Sequence, residues 1–218
     1  MSRRRPRAIL YIDGFNLYNG LVRRAAAKGL PTTEHRWLNL SKLGDFLLPD
    51  AEVVLVRYFT SRLRRRVEDP DAGQRQEVFL RALATLPNLT CHFGVFQRNR
   101  VRRRLVDDPT QSVRVVDFKE KGSDVNLAAY LVHDALSGSC EIAGVVSSDS
   151  DLVVPIALAR QTLPKGVIVL SPNVGNPTRA LQDVATDSRR IRDRAFAACH
   201  FPDQIENQRG VIHKPPEW

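Results

Sequence analysis

Asp13, Asp124, Asp149 and Asp151 are the residues of this chain best placed to do chemistry. Each lies in a short acidic motif where an apolar run gives way to a helical pattern: ILYIDGFNLY (residues 9–18), EKGSDVNLAAYL (120–131) and GVVSSDSDLVVPI (144–156). Four carboxylates gathered at one place repel one another, and the repulsion is relieved by a hard cation. Mg²⁺ or Mn²⁺ takes oxygen ligands of this kind. A divalent ion so held acidifies a water and stabilises a leaving oxygen, which is what hydrolysis of a phosphodiester needs. Asp13 and Asp149 are the expected direct ligands, with Asp124 and Asp151 binding directly, through water, or orienting the nucleophile. Asn16, one turn into the first helix, would hold a metal-bound water or a phosphate oxygen. Lys121 would neutralise a phosphate as a point charge, and Ser148 would hydrogen-bond a phosphate or a metal water. Glu120 either supports the site or is merely exposed.

Each acid also has an ordinary explanation. Asp13-Gly14 is a turn signal, Asp124 complements a helix dipole, and Asp149 and Asp151 suit helix caps. Their joint occurrence at strand and helix ends favours the functional reading. Nucleophilic serine chemistry is not supported at Ser147 or Ser148, since no GxSxG elbow is present. Neither GxxxxGK[ST] nor GxGxxG occurs, so nucleoside-triphosphate and dinucleotide sites are unsupported. The five histidines show no spacing that supplies a general base, and Cys91, Cys140 and Cys199 have no zinc-ligand spacing.

The elements that must position the acids alternate between strand and helix. Apolar runs predict strands at 8–12, 52–59, 89–96, 142–146 and 167–170. Helical periodicity predicts helices at 15–27, 38–48, 71–86, from about 123, at 150–162 and at 177–184. Residues 98–104 and 112–118 predict a basic antiparallel excursion, residues 189–199 a further helix, and residues 204–218 a tail. The alternation implies an α/β fold with a central, mostly parallel sheet of about five strands between helices. Ligands of such sheets bind outside the carboxyl ends of the strands, where Asp13, Asp149 and the start of the helix carrying Asp124 would meet. One domain over residues 1–218 is expected, with its core at about 8–184, the basic excursion at 98–118 and a C-terminal extension at 189–218.

The charge balance names the class of partner. Lys and Arg number 33 against 24 Asp and Glu, for a net charge of +9, and most of the cations are Arg. Such a balance suits nucleic acid, and Arg contacts phosphates bidentately and stacks on bases. Arg62, Arg64, Arg65 and Arg66 follow the second strand and would flank the acids as substrate-binding residues, with Arg98, Arg100, Arg102, Arg103 and Arg104 as a second wall. Aromatic residues among them (Phe15, Tyr18, Phe59 and Phe96) suit single-stranded nucleic acid. A solvated hairpin is the plain alternative for the arginine run. The first apolar stretch is too short for a signal segment, and no run approaches a membrane span. A cytoplasmic protein without a membrane partner is expected, and a homodimer is left open.

IDGFNLY, EKGSDVNLA and VVSSDSDLVVPI together resemble the three signature motifs of the NYN domain family, the PIN-like ribonucleases that include LabA-like bacterial proteins. The resemblance spans residues 8 to about 184. It implies a PIN-like three-layer sandwich with a carboxylate pocket, and metal-dependent RNA cleavage that leaves 5′-phosphate and 3′-hydroxyl ends. Motif by motif, the family's acids fall on Asp13, Asp124, Asp149 and Asp151, with Asn16 after the first. The leading expectation is a Mg²⁺- or Mn²⁺-dependent ribonuclease. The alternatives are a non-catalytic RNA-binding regulatory adaptor and a metal-dependent phosphatase, although the first motif lacks the DxD pair of a phosphoaspartate enzyme.

Overall fold

The computed structural model describes residues 4–31, 33, 35–63 and 69–218. Arg64, Arg65 and Arg66, expected to flank the acids, lie outside the described residues. In chain order the elements are β1 (Arg7–Asp13), α1 (Gly14–Ala27), α2 (Leu40–Leu47), β2 (Glu52–Ser61), α3 (Ala72–Leu83), β3 (Leu89–Arg104), β4 (Ser112–Lys121) and α4 (Ser123–Leu136). There follow β5 (Ile142–Val146), a 3-10 turn (Ser150–Leu152), α5 (Val153–Thr162), β6 (Val167–Ser171), α6 (Arg179–Val184), β7 (Asp187–Arg190), α7 (Asp193–Ala198), β8 (Gln204–Asn207) and β9 (Gly210–His213).

The main sheet has seven strands among the described residues, in the order β4-β3-β2-β1-β5-β6-β7. All its pairings are parallel except β3 with β4. β1 is central, and its side chains alternate between two cores. Ala8, Leu10 and Ile12 pack with α1, α2, α3 and α7, whereas Ile9 and Tyr11 pack with α4, α5 and α6. This is a three-layer α/β sandwich, and burial on both faces explains why its inner strands read as continuous apolar runs.

Three expectations need correction. The sheet has seven strands, not about five, because β4 and β7 join its edges. β7, residues 187–190 with the sequence DSRR, takes Arg189 and Arg190 from the helix expected at 189–199, which begins only at Asp193. Being an edge strand, it is mostly exposed and carries no apolar signature. The expected tail contains the β8–β9 hairpin, whose Ile205 and Ile212 pack into the first core together with Trp218.

The chain runs outward from β1 to β2 and β3, then returns to place β5 on the other side of β1. That reversal leaves a crevice at the carboxyl edge of the sheet, between the helices that follow β1 and β5. β3 is the second positioning device. Residues 89–94 pair with β2, but the strand continues past the sheet edge and pairs with β4 from Val95↔Lys121 to Arg104↔Ser112. The β3–β4 ribbon therefore projects from the edge where β1 and β5 end. Gly122, at φ 98°, turns the returning strand into α4, a backbone region that favours glycine.

Candidate active site

Asp13 closes β1 and caps α1. Its Oδ1 accepts the Asn16 backbone N–H at 2.9 Å, and its Oδ2 accepts the Ser147 hydroxyl at 3.0 Å. The residue is only 4% exposed. Burial pushes its carboxyl up to about 6, the charges of Asp124 and Asp149 push the same way, and the two hydrogen bonds oppose them. Gly14 lets α1 begin against β2, since a Cβ there would come within 2.7 Å of the Phe59 carbonyl and 2.8 Å of the Tyr58 ring.

Asp149 follows β5 and caps the 3-10 turn, its Oδ1 accepting the Asp151 N–H at 2.9 Å. Ser147 joins the first and third motifs. Its buried hydroxyl donates to Asp13 and accepts the Asp149 N–H at 3.1 Å. Asn16 makes a second link through its Oδ1, which accepts the Ser148 N–H at 3.0 Å. The Ser148 hydroxyl is 2.9 Å from that of Ser171. Asn16 and Ser148 thus hold motifs together as well as standing near the acids.

The second motif arrives by β4 and α4. Glu120 Oε1 accepts the Ser61 hydroxyl at 2.7 Å and the Ser123 N–H at 3.2 Å, and its Oε2 accepts the Ser123 hydroxyl at 2.9 Å. This anchoring depends on Gly94, because a Cβ there would meet the Glu120 carboxylate and stand 2.6 Å from the Lys121 carbonyl. Asp124 lies in the first turn of α4. Its carboxyl is raised by burial, then by the charges of Asp149, Glu120 and Asp151, against a hydrogen bond from Ser123.

Asp13, Asn16, Glu120, Asp124 and Asp149 line one cavity of about 590 Å³. Among the expected site residues, Asp151, Ser148, Lys121 and Arg62 are outside its lining. Asp151 and Lys121 are exposed. Arg62 is ion-paired with Glu77 and lies over the Phe93 ring at 4.8 Å from its centroid. Phe15, Tyr18 and Phe96 do line the cavity, and Phe15 meets Phe96 edge-on at 5.8 Å. Phe59 does not; it is fully buried on the opposite face of the sheet and stacks on His92.

Sequence reasoning left Glu120 undecided and passed over Ser147 and Gly94 as site residues. The available signals were the placement of Ser147 directly after an apolar strand and of Glu120 three residues before a helix start.

Among the described residues, no three His, Cys, Asp or Glu side chains stand close enough to grip one ion as they are. The acids line a wall and do not form a closed shell. That wall still suits Mg²⁺ or Mn²⁺ chemically. All its donors are oxygens, and Mg²⁺ commonly takes one or two carboxylates while keeping several waters and a substrate phosphate.

No family model matches the chain. The chain is 25% identical to 6-hydroxy-3-succinoylpyridine 3-monooxygenase HspA of Pseudomonas putida, over 97% of this chain and 75% of that protein. The similar protein is an enzyme. A solved structure, a protein of unknown function (VPA0982) from Vibrio parahaemolyticus, aligns with 88% of this chain and 97% of its own at a TM-score of 0.49 and 17% identity. Among the described residues no helix is long and apolar enough to cross a membrane.

Proposed function

We propose that the chain is a metal-dependent ribonuclease of the NYN, PIN-like type that hydrolyses RNA phosphodiester bonds at the acid-lined cavity. The observation that carries this reading is the meeting of Asp13, Asp124 and Asp149, one acid from each motif, on the wall of one cavity. Asp13 is buried there beside the other two charges, an arrangement that costs stability unless positive charge enters.

Asp13 and Asp149 would hold Mg²⁺ or Mn²⁺, with Asp124 and Asp151 at the outer side. The ion, when bound, acidifies a water and offsets the charge developing on the phosphate. Ser147 orients Asp13 and Asp149 together, and Glu120 fixes the start of α4 through Ser123. Asp124 is the rim acid suited to accept the proton of the attacking water, because burial and its neighbours raise its proton affinity. The water oxygen bonds to phosphorus, the bond from phosphorus to the 3′ oxygen breaks, and that oxygen takes a proton from solvent, to which Asp124 gives up the one it accepted. The products carry 5′-phosphate and 3′-hydroxyl ends.

A second reading draws on the aromatic lining and the similar monooxygenase. A small aromatic acid would lie among Phe15, Tyr18 and Phe96, near Arg36 and Arg75. Arg75 is, however, already bonded to both oxygens of Asp69 at 2.6 Å, so it is not held ready for a ligand carboxylate.

The test incubates chelator-treated protein with single-stranded RNA, single-stranded DNA or p-nitrophenyl phosphate in Mg²⁺, Mn²⁺ or EDTA, and with 6-hydroxy-3-succinoylpyridine in air with a two-electron reductant such as NADH added. RNA cleavage with either metal and none in EDTA is the expected result. RNA binding without cleavage in any metal favours the adaptor. Turnover of p-nitrophenyl phosphate alone favours a phosphatase, and conversion of the pyridine alone favours the second reading.

A further inference from the structure

We infer that one face of the β3–β4 ribbon is the track along which the backbone of single-stranded RNA runs into the acid-lined cavity. The inference rests on the ribonuclease reading for the identity of the strand.

Side chains alternate along a β-ribbon, and residues directly paired across it share a face. Phe96, Arg98, Arg100, Arg102 and Arg104 therefore share a face of β3, opposite Glu120, Phe118, Val116, Arg114 and Ser112 of β4. The near end of that face is the cavity wall, where Phe96, Phe118 and Glu120 are all lining residues. From Arg98, directly opposite Phe118, outward the face carries Arg98, Arg100, Arg102, Arg104 and Arg114, all exposed.

Charge is sorted between the two faces. On the other face Asp117 pairs with Arg103 at 2.8 Å and with Lys119 at 4.0 Å. On the cavity face none of the five arginines has a carboxylate partner among the described residues. Arg102 even stands directly opposite Arg114, a like-charge cross-strand pair that destabilises a ribbon. A polyanion lying on the face relieves that repulsion.

The spacing suits an extended strand. Arginines on alternate residues recur about every 7 Å, close to the repeat of phosphates along an extended single strand. From Phe96 to Arg104 the face is about 27 Å long. Phe118 and Phe96 stand between the arginines and the acids, where unpaired bases can stack on them. A duplex hides its base faces and would use neither ring.

The test measures binding of a labelled oligouridylate in EDTA, where hydrolysis cannot intervene. Arg100→Gln/Arg102→Gln/Arg114→Gln removes three track charges. Arg23→Gln/Arg81→Gln/Arg209→Gln removes three exposed charges elsewhere. The track triple should weaken binding about tenfold and flatten the log–log salt slope by about 2, while the control triple changes neither by as much. A track triple that melts no lower than the parent excludes misfolding, and Arg102→Gln alone, which relieves the Arg102–Arg114 repulsion, provides a milder variant. Equal weakening by both triples, or a duplex that binds more tightly than the single strand, overturns the assignment. Track-dependent binding without hydrolysis in Mg²⁺ or Mn²⁺ leaves the track standing and sinks the ribonuclease reading. Hydrolysis with binding indifferent to the track triple does the reverse.

Discussion

Asp13→Asn should abolish metal-dependent RNA cleavage and, at neutral pH, make the protein more stable. Losing a direct ligand should cost at least about a hundredfold in activity, since removing even a supporting partner of a metal ligand costs 10–100-fold. The stability gain follows from protonation. The Asp13 carboxyl is raised from 3.8 to about 6 in the fold, so the folded state keeps a proton that the unfolded chain gives up between those values. Its stabilising contribution is complete below about pH 4 and is lost as pH rises through about 6. Above that the ionised group costs up to about 3 kcal/mol, at about 1.4 kcal/mol per unit. Asparagine remains neutral, still accepts the Asn16 N–H, and donates to the Ser147 oxygen. Melting curves of variant and parent should nearly coincide at about pH 4 and separate by several degrees at about pH 7.5. A variant less stable than the parent at the higher pH would contradict the electrostatic reading of the site.

Asp134→Ala should cost about 3–5 kcal/mol, the typical penalty for breaking a buried ion pair from one side. Asp134 is 1% exposed near the end of α4. Its carboxylate accepts two bonds from Arg57, at 2.7 and 3.0 Å, and one from the Tyr11 hydroxyl at 2.8 Å. Arg57 also lies over the Tyr130 ring at 4.4 Å. Truncation strands a guanidinium and a phenol between the sheet and α4. Tyr11→Phe removes a single bond and should cost only about 1 kcal/mol. Chemical denaturation of the two variants measures both. Equal losses would mean that Asp134 is not the centre of the network.

Different physical signals explain what the sequence disclosed. Asp13 and Asp149 were readable because parallel strands are apolar throughout, so a carboxylate at their ends stands out. Asp124 was readable from the helical periodicity after it. Ser147 was not, because its importance lies in bridging two motifs that are 134 residues apart. Glu120 depended on the register of β3 against β4 and on the close approach at Gly94, and neither is a local property. Arg24 is a similar case. Buried within α1, it donates to the carbonyls of Pro172 and Ile191 and pairs with Asp193, drawing α1 toward the segments after β6 and before α7. Nothing in its neighbourhood along the chain distinguishes it from a solvated arginine. β7 escaped notice because an exposed edge strand need not be apolar.

The central claim is that acids from three motifs form a site whose repulsion a divalent ion relieves. Its most direct test is the melting temperature of chelator-treated protein titrated with Mn²⁺ at about pH 7.5, where Asp13 is ionised. The melting temperature should climb with concentration as ligand linkage requires, and Asp13→Asn should remove most of the climb. A curve that stays flat with Mn²⁺, or a climb of equal size in the variant, would contradict it.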